Sequence, residues 1–380
     1  MKRFLAVAVA AVVSVGLLGF GIWIAMLPPT TVLTPQIPPA AEAKAAREAL
    51  APKRSGRPVI AVIGLNDATE TTDYLMPTGI LRRADIADVM MLATAQGPVQ
   101  LYPALNVEPD ATISEFDAAH PDGADYVVVP AMSRDDDPAV LAWLQQQSAK
   151  GAIVIGICAG AKVVGAAGLL DGKRATTHWF YLRDLLRRSP TIDYVADRRM
   201  VIDGNIATTT GITASMPMML TLIEAIAGRE KAQGVAAELG VEHWDARHAS
   251  GAFTLTRPFV TTIMANTLAF WNREEFEMAL EEGMDEASLA LVADAWSRTY
   301  RSKVVSFAQA PVIVSANGIR ILPDRNSQEG STESMVSNFS DQKPAAALDQ
   351  GLQAINERYG LGTADVVAMQ LEYPTSNTAR

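Results

Sequence analysis

From residue 58 the chain alternates short apolar runs with helical stretches. Val59-Ile-Ala-Val-Ile63 is a continuous, mostly β-branched run closed by Gly64, as a strand buried on both faces should be. Residues 73–84 read as a helix and 89–93 as the next strand, and 126–130 form a third apolar run. Asp137-Pro138 opens a helix with proline at its first position, and 152–157 is a fourth strand running into a small-residue helix that ends near Ala167. Such alternation predicts an α/β fold, a parallel sheet with helices on both faces.

The first 58 residues follow another pattern. Met1-Lys2-Arg3 precedes an uncharged run, residues 4–27, long enough as a helix (~36 Å) to cross a ~30 Å hydrocarbon core. Trp23 suits an interfacial position, and the two leading charges favour a cytoplasmic N-terminus. Residues 1–27 are therefore expected to be an N-terminal transmembrane helix, an uncleaved signal anchor. The soluble body would sit on the extracytoplasmic, periplasmic side of the cell membrane, and a long cleaved signal peptide would export it equally. Residues 28–57, proline-rich around an Ala/Glu/Lys/Arg patch, read as a semi-rigid stalk with one short helix.

Composition narrows the function. A net charge of −10 argues against nucleic acid as partner, and a single cysteine excludes an intrachain disulfide and any multi-cysteine metal site. That cysteine, Cys158, falls where strand 152–157 breaks into a helix, between Gly156 and Gly160. A thiol there resembles a nucleophile elbow in its physics: small neighbours allow a tight turn and the helix N-terminus favours thiolate, which predicts a lowered pKa. The backbone N–H of Ala159 would point at an incoming oxyanion. A small hydrophobe filling the core is the alternative reading of the same residue.

Ile155-Gly-Ile-Cys158-Ala-Gly-Ala161 followed by Ala167-Gly-Leu-Leu-Asp-Gly-Lys-Arg-Ala-Thr-Thr-His178-Trp179 resembles the ThiJ/PfpI family, with Asp73-Tyr-Leu-Met-Pro77 as an upstream match. The resemblance covers about residues 57 to 240. Isonitrile hydratases and the ligand domains of amidotransferase-like regulators are nearest in motif, and the parkinsonism-associated deglycase is more distant. It implies the flavodoxin-like, class I glutamine-amidotransferase-like fold over residues 58–240, Cys158 as nucleophile, Asp73 as the carboxyl touching its sulfur, and His178 nearby as proton relay. Without the family, Asp73 reads as a helix N-cap and His178 as a hydrogen-bonded structural histidine. Ala131 and Met132 stand where relatives carry a Gly-Gly pair that supplies part of the oxyanion hole. Gly160, Thr177 and the Gly/Thr loop at Gly211 are expected to line the pocket. Ala159, where protease-like relatives have histidine, argues against peptidase chemistry. Related folds often dimerise, which implies a homodimer by resemblance.

Residues 241–380 read as a C-terminal α/β extension. Glu242-His243-Trp-Asp245-Ala-Arg-His248 has metal-ligand residue types but is more simply a solvated loop, as is Asp135–Asp137, so neither metal nor cofactor is expected. A faint repeat sets Asp285, Val304-Val305 and Ile321-Leu-Pro323-Asp324 against Asp73, Val89-Met90 and Val107-Glu-Pro109-Asp110, a partial second copy lacking a cysteine elbow; an unrelated α+β extension is the alternative. Residues 326–344 read as a serine-rich linker, 345–359 as a helix and 364–371 as a final strand. Three functions fit: a membrane-tethered cysteine enzyme acting on a small electrophile by hydration, hydrolysis or lyase chemistry; a non-catalytic module binding a small-molecule ligand; and a thiol redox or stress sensor.

Overall fold

A computed structural model describes residues 14, 16, 18–327, 334–339 and 341–374. Its centre is a seven-stranded sheet: β1 (Val59–Gly64), β2 (Asp88–Ala93), β3 (Ala111–Thr112), β4 (Tyr126–Val129), β5 (Ile153–Gly156), β6 (Met200–Asp203) and β7 (Ile206–Thr209), in the order β6-β7-β5-β4-β1-β2-β3. All neighbours are parallel except β6, which returns antiparallel to β7 at the edge. The sheet is thus mixed rather than wholly parallel, because the short β6–β7 link through Asp203-Gly204-Asn205 reverses the chain at once, whereas a parallel neighbour needs a crossover. Strands β1, β4 and β5 are fully buried over most of their lengths, which is why they read as unbroken apolar runs. The strand order reverses between β1 and β4, so their carboxyl ends open the crevice where α/β proteins place their sites.

The helix Thr71–Ala84 follows β1 and is buried on nearly every side. Beyond the sheet it packs on the helix Glu286–Ser297, which links the parallel strands Glu274–Ala279 and Ser302–Phe307. A hairpin of Val99–Tyr102 and Asn106–Glu108 joins a second hairpin, Ile313–Val314 and Arg320–Leu322, through an antiparallel pairing in which Val107 faces Ile321. Leu75, Tyr74 and Ile80 share one continuous apolar core with Leu289, Val292 and Trp296.

Two further sequence expectations change. Residues 364–371 are helical, within Leu361–Leu371: Ala364, Val367, Ala368 and Leu371 recur at helical spacing and bury one face, a pattern a short apolar run conceals. The stalk does carry its helix, Ala40–Leu50, but this lies against the body, with Leu50 fully buried and its carbonyl accepting from the Tyr126 hydroxyl. Half of residues 4–27 lie outside the described residues; 18–26 are helical, and among the described residues no helix is long and apolar enough to cross a membrane. Much of the 326–344 segment is likewise not described.

At Gly160 a Cβ would collide with the Val129 carbonyl oxygen, whereas at Gly234, inside the helix Arg229–Leu239, nothing lies within 4 Å. Gly160→Ala is therefore expected to cost about 1–3 kcal/mol by overpacking, and Gly234→Ala to gain up to about 1 kcal/mol of helix propensity. Paired thermal and urea unfolding curves check both signs.

Candidate active site

The elbow forms because strand and helix approach closely at Cys158. Its φ of 54° is left-handed, a strained region for a side chain with a Cβ. Three contacts hold it: the Ile157 N–H donates to Val129 O (2.9 Å), the Cys158 N–H to Thr209 Oγ1 (3.0 Å), and Thr177 Oγ1 to the Cys158 carbonyl (3.0 Å). Thr177 is therefore a brace of the elbow more than a pocket wall, and Thr209 is a brace that motif reading did not single out. The thiol is 4 % exposed. It borders a cleft of about 380 Å³ that Ala131, Met132, Ala159 and His178 line as expected.

Asp73 is in the first turn of the helix Thr71–Ala84, fully buried, and its side chain interacts with that of Cys158. Oδ2 accepts from the Ala131 N–H (3.1 Å), while Oδ1 has no hydrogen bond of ordinary geometry. The N-cap is instead Glu70, whose carboxylate accepts from the Asp73 N–H (2.5 Å). The Ala131 amide, expected as an oxyanion donor, is committed to Asp73 here. The Ala159 N–H faces the sulfur.

Burial raises the Asp73 carboxyl to about 7, with the nearby Asp294 charge adding to it; the Ala131 N–H, Arg298 and the thiol pull it down. Burial also pushes the Cys158 thiol up, aided by the Asp73, Glu70 and Glu372 carboxylates; only the Ala159 N–H is a leading opposing influence. The lowered thiol pKa expected from the helix N-terminus is thus reversed: the helix Gly160–Ala166 is two turns long, and burial, with three carboxyl groups adding to it, acts the other way.

His178 reaches the cleft with both ring nitrogens in use. Nδ1 accepts from the Phe180 N–H (3.2 Å) and Nε2 pairs with the Gln370 carbonyl (3.0 Å), which assigns the proton to Nε2. Burial lowers its pKa. A relay to sulfur through His178 would have to break one of these bonds. Gly211 lies behind the histidine, where a Cβ would collide with Glu372. Gly160 is buried under the elbow and does not line that cleft.

Part of the wall was not foreseen from motifs: Phe259, Ile263, Arg298, Tyr300 and Gln370 come from the C-terminal third. Arg298 donates to Glu70 Oε1 (2.7 Å) and Asp294 Oδ1 (2.6 Å), and Thr72 Oγ1 donates to Asp294 Oδ2 (3.1 Å). Glu70 and Asp294 carried a usable signal only as acids at helix ends. The acidic loop is only partly the solvated stretch expected: Asp137 caps the helix Pro138–Ala149, but Asp135 is buried and paired to Lys162 and Arg188. Asp245 grips Arg247, and His248 faces Glu372.

A strained cysteine elbow over a mostly parallel α/β sheet, with a buried acid beside the sulfur, defines a class of cysteine-site α/β proteins. Residues 59–225 match the profile of the DJ-1/PfpI family, and this part of the chain is a DJ-1/PfpI family domain. Isonitrile hydratase of Pseudomonas putida is 44% identical over 105 residues, 27% of this chain, and the chain spans 44% of that relative's length. The Parkinson disease protein 7 homolog of Danio rerio is 29% identical over 47% of this chain and 95% of its own. The regulator CdhR of Pseudomonas aeruginosa is 31% identical over 46% and 50%. Among solved structures, Drosophila melanogaster DJ-1beta aligns with a TM-score of 0.45 at 26% identity, covering 50% of this chain and all of its own.

The raised Asp73 pKa has a stability consequence. Between the unfolded value of 3.8 and about 7 the folded state holds an extra proton, so Asp73 favours folding fully at low pH and loses that contribution as pH rises through about 7. Asp73→Asn is expected to flatten the decline of stability between pH 5 and 8, read from urea midpoints across that range; an unchanged slope would place the titration elsewhere. Alkylation of wild-type Cys158 should show an apparent pKa above the ordinary ~8.5.

Proposed function

We propose that the site performs cysteine-dependent addition of water to a small, uncharged electrophile. The observation that carries this reading is the strained Cys158 with its sulfur beside the buried Asp73 carboxyl, opening on an aromatic-walled cleft. Sulfur attacks the electrophilic carbon as the S–H bond breaks, and ionised Asp73 takes the thiol proton and delivers it to the substrate. Water then adds to the same carbon, the C–S bond breaks, and sulfur recovers a proton. For an isonitrile the balance is R–NC plus water to R–NH–CHO through a thioimidate on Cys158. A carboxyl that titrates near 7 can both accept and return the proton near neutrality.

The walls support an uncharged substrate. The two long cationic side chains at the cleft are consumed, Lys162 by Asp135 and Asp184 and Arg298 by Glu70 and Asp294. Tyr102, Phe180, Tyr181 and Tyr300 present partly exposed rings around the mouth. Cys158→Ala and Asp73→Asn should each lower turnover of an aryl isonitrile or aryl aldehyde by at least about a hundredfold while remaining folded. Retained turnover in Cys158→Ala would reject the reading.

A second reading, a ligand-binding module without turnover, is favoured by the raised thiol pKa, the committed His178 and the regulator relatives. Saturable binding of the same compounds, with no product and no adduct by intact mass, would select it. Anchoring through residues 4–27 belongs to the proposal as well: alkaline carbonate should leave the full chain in the membrane pellet, and release would reject the anchor.

A further inference from the structure

Two helices and two hairpins face each other in this molecule with reciprocal contacts. The strand β1, the helix Thr71–Ala84, β2 and the first hairpin follow one another along the chain. The strand Glu274–Ala279, the helix Glu286–Ser297, the strand Ser302–Phe307 and the second hairpin repeat that order. The two helices pack together, and at each end an arginine just before or after one helix C-terminus pairs with the N-cap carboxylate of the other: Arg83 with Asp285, and Arg298 with Glu70. Val107 and Ile321, equivalent in the repeat, are register partners across the two hairpins. Asp110 accepts from the Met91 N–H (2.6 Å) as Asp324 accepts from the Ser306 N–H (2.8 Å), and Met91 and Ser306 occupy corresponding strand positions. Arg82 donates to Gly318 O (3.0 Å) at the turn of the second hairpin. These contacts describe a local two-fold relation within one chain.

The relation is broken at one end. Near Glu70 lie Asp73 and the Cys158 sulfur; near Asp285 lie Glu286 and Gly79, with no cysteine. We propose that residues 274–324 are a degenerate second copy of the segment 59–110, and that through Arg298 this copy is a positioning element for the Cys158 site, setting the reactivity of a sulfur it does not itself contain. The path is continuous: Asp294 to Arg298, Arg298 to Glu70 Oε1, Glu70 Oε2 to the Asp73 N–H, and Asp73 to Ala131 and the thiol. Gln370 adds a second tie, since its side chain donates to the Arg298 carbonyl (2.9 Å) while its own carbonyl receives His178.

The charges around the sulfur give the direction. Cys158 faces the Asp73, Glu70 and Glu372 carboxylates, with the Tyr181 hydroxyl also within electrostatic reach. Arg298, flanked by Glu70 and Asp294 and within electrostatic reach of His178, Tyr181 and Tyr300, is the cation whose field reaches both the thiol and Asp73. Removing it leaves the acids uncompensated beside the sulfur, which disfavours thiolate further.

The inference rests on the Cys158 site being reactive, as proposed above, but its test reads the thiol directly and needs no substrate. Iodoacetamide modification of the full chain, followed by intact mass across pH 6–10, is compared with thermal unfolding. Arg298→Met should move the profile to higher pH and slow modification at pH 8 by about tenfold, one pKa step, with Arg298→Lys in between. Arg83→Met, the symmetry mate, should lower the unfolding temperature and leave the profile in place. A folded Arg298→Met with the wild-type profile, or an equal displacement in Arg83→Met, overturns the proposal. Should Arg298→Met not fold, Glu70→Gln decides: loss of a carboxylate beside the sulfur should move the profile to lower pH, and an unmoved profile overturns it. If the thiol profile moves as expected but no electrophile is turned over, the hydration reading fails and the positioning role stands.

Discussion

Three buried acids, Glu70, Asp73 and Asp294, lie around a single part-buried guanidinium, that of Arg298, which pairs with the first and the last of them. Leaving a charge in an apolar interior without a partner costs several kcal/mol, so the acids either find a cation or keep their protons. Here both happen: Arg298 pairs with Glu70 and Asp294, yet burial and the neighbouring Asp294 and Asp73 charges still hold the Glu70 carboxyl well above its ordinary value, and Asp73 titrates near 7. The cation arrives from more than two hundred residues away, which requires the helix Glu286–Ser297 to lie on Thr71–Ala84. The packing of the two halves and the chemistry of the sulfur are therefore aspects of one charge balance.

The elbow obeys a steric constraint of the same strictness. A left-handed Cys158 persists only where its surroundings over-determine it, and threonines on two neighbouring segments plus the β4 carbonyl edge do so. Gly160 allows the helix to touch that edge. Elbow rigidity comes from backbone braces, leaving the wall of the cleft free to be built by distant aromatic side chains.

Much of this was legible in the chain itself. Unbroken apolar runs marked the buried strands, and the flanking glycines marked the turn at Cys158. Asp73 was placed beside the sulfur by its motif, although by local rules it read as a cap; the cap is Glu70, three residues earlier. What stayed hidden had long-range causes. The pairings of Glu70 and Asp294 with Arg298 have no periodicity to detect, and the helix at 361–371 is decided by packing against its neighbours rather than by its short apolar run. The direction of the thiol shift was misjudged because a two-turn helix is visible in sequence while the depth of the sulfur's burial and the three carboxyl groups converging on it are not. The order of strand, helix, strand and hairpin in the last third was discernible, faintly, but not its register: the helix caps set Asp285 against Glu70, three residues before the Asp73 that motif spacing had matched to it.

The stretch that sequence comparison delimits, 59–225, ends well before Arg298. Cut free at those borders, it would present the flank of Thr71–Ala84 as a bare greasy surface and strand Glu70 with no counter-ion. The family match and the continuous apolar core, which runs on to Leu371, have different boundaries here. Because the chain's own second half already occupies that flank, a symmetric pair of whole chains could not be built through it.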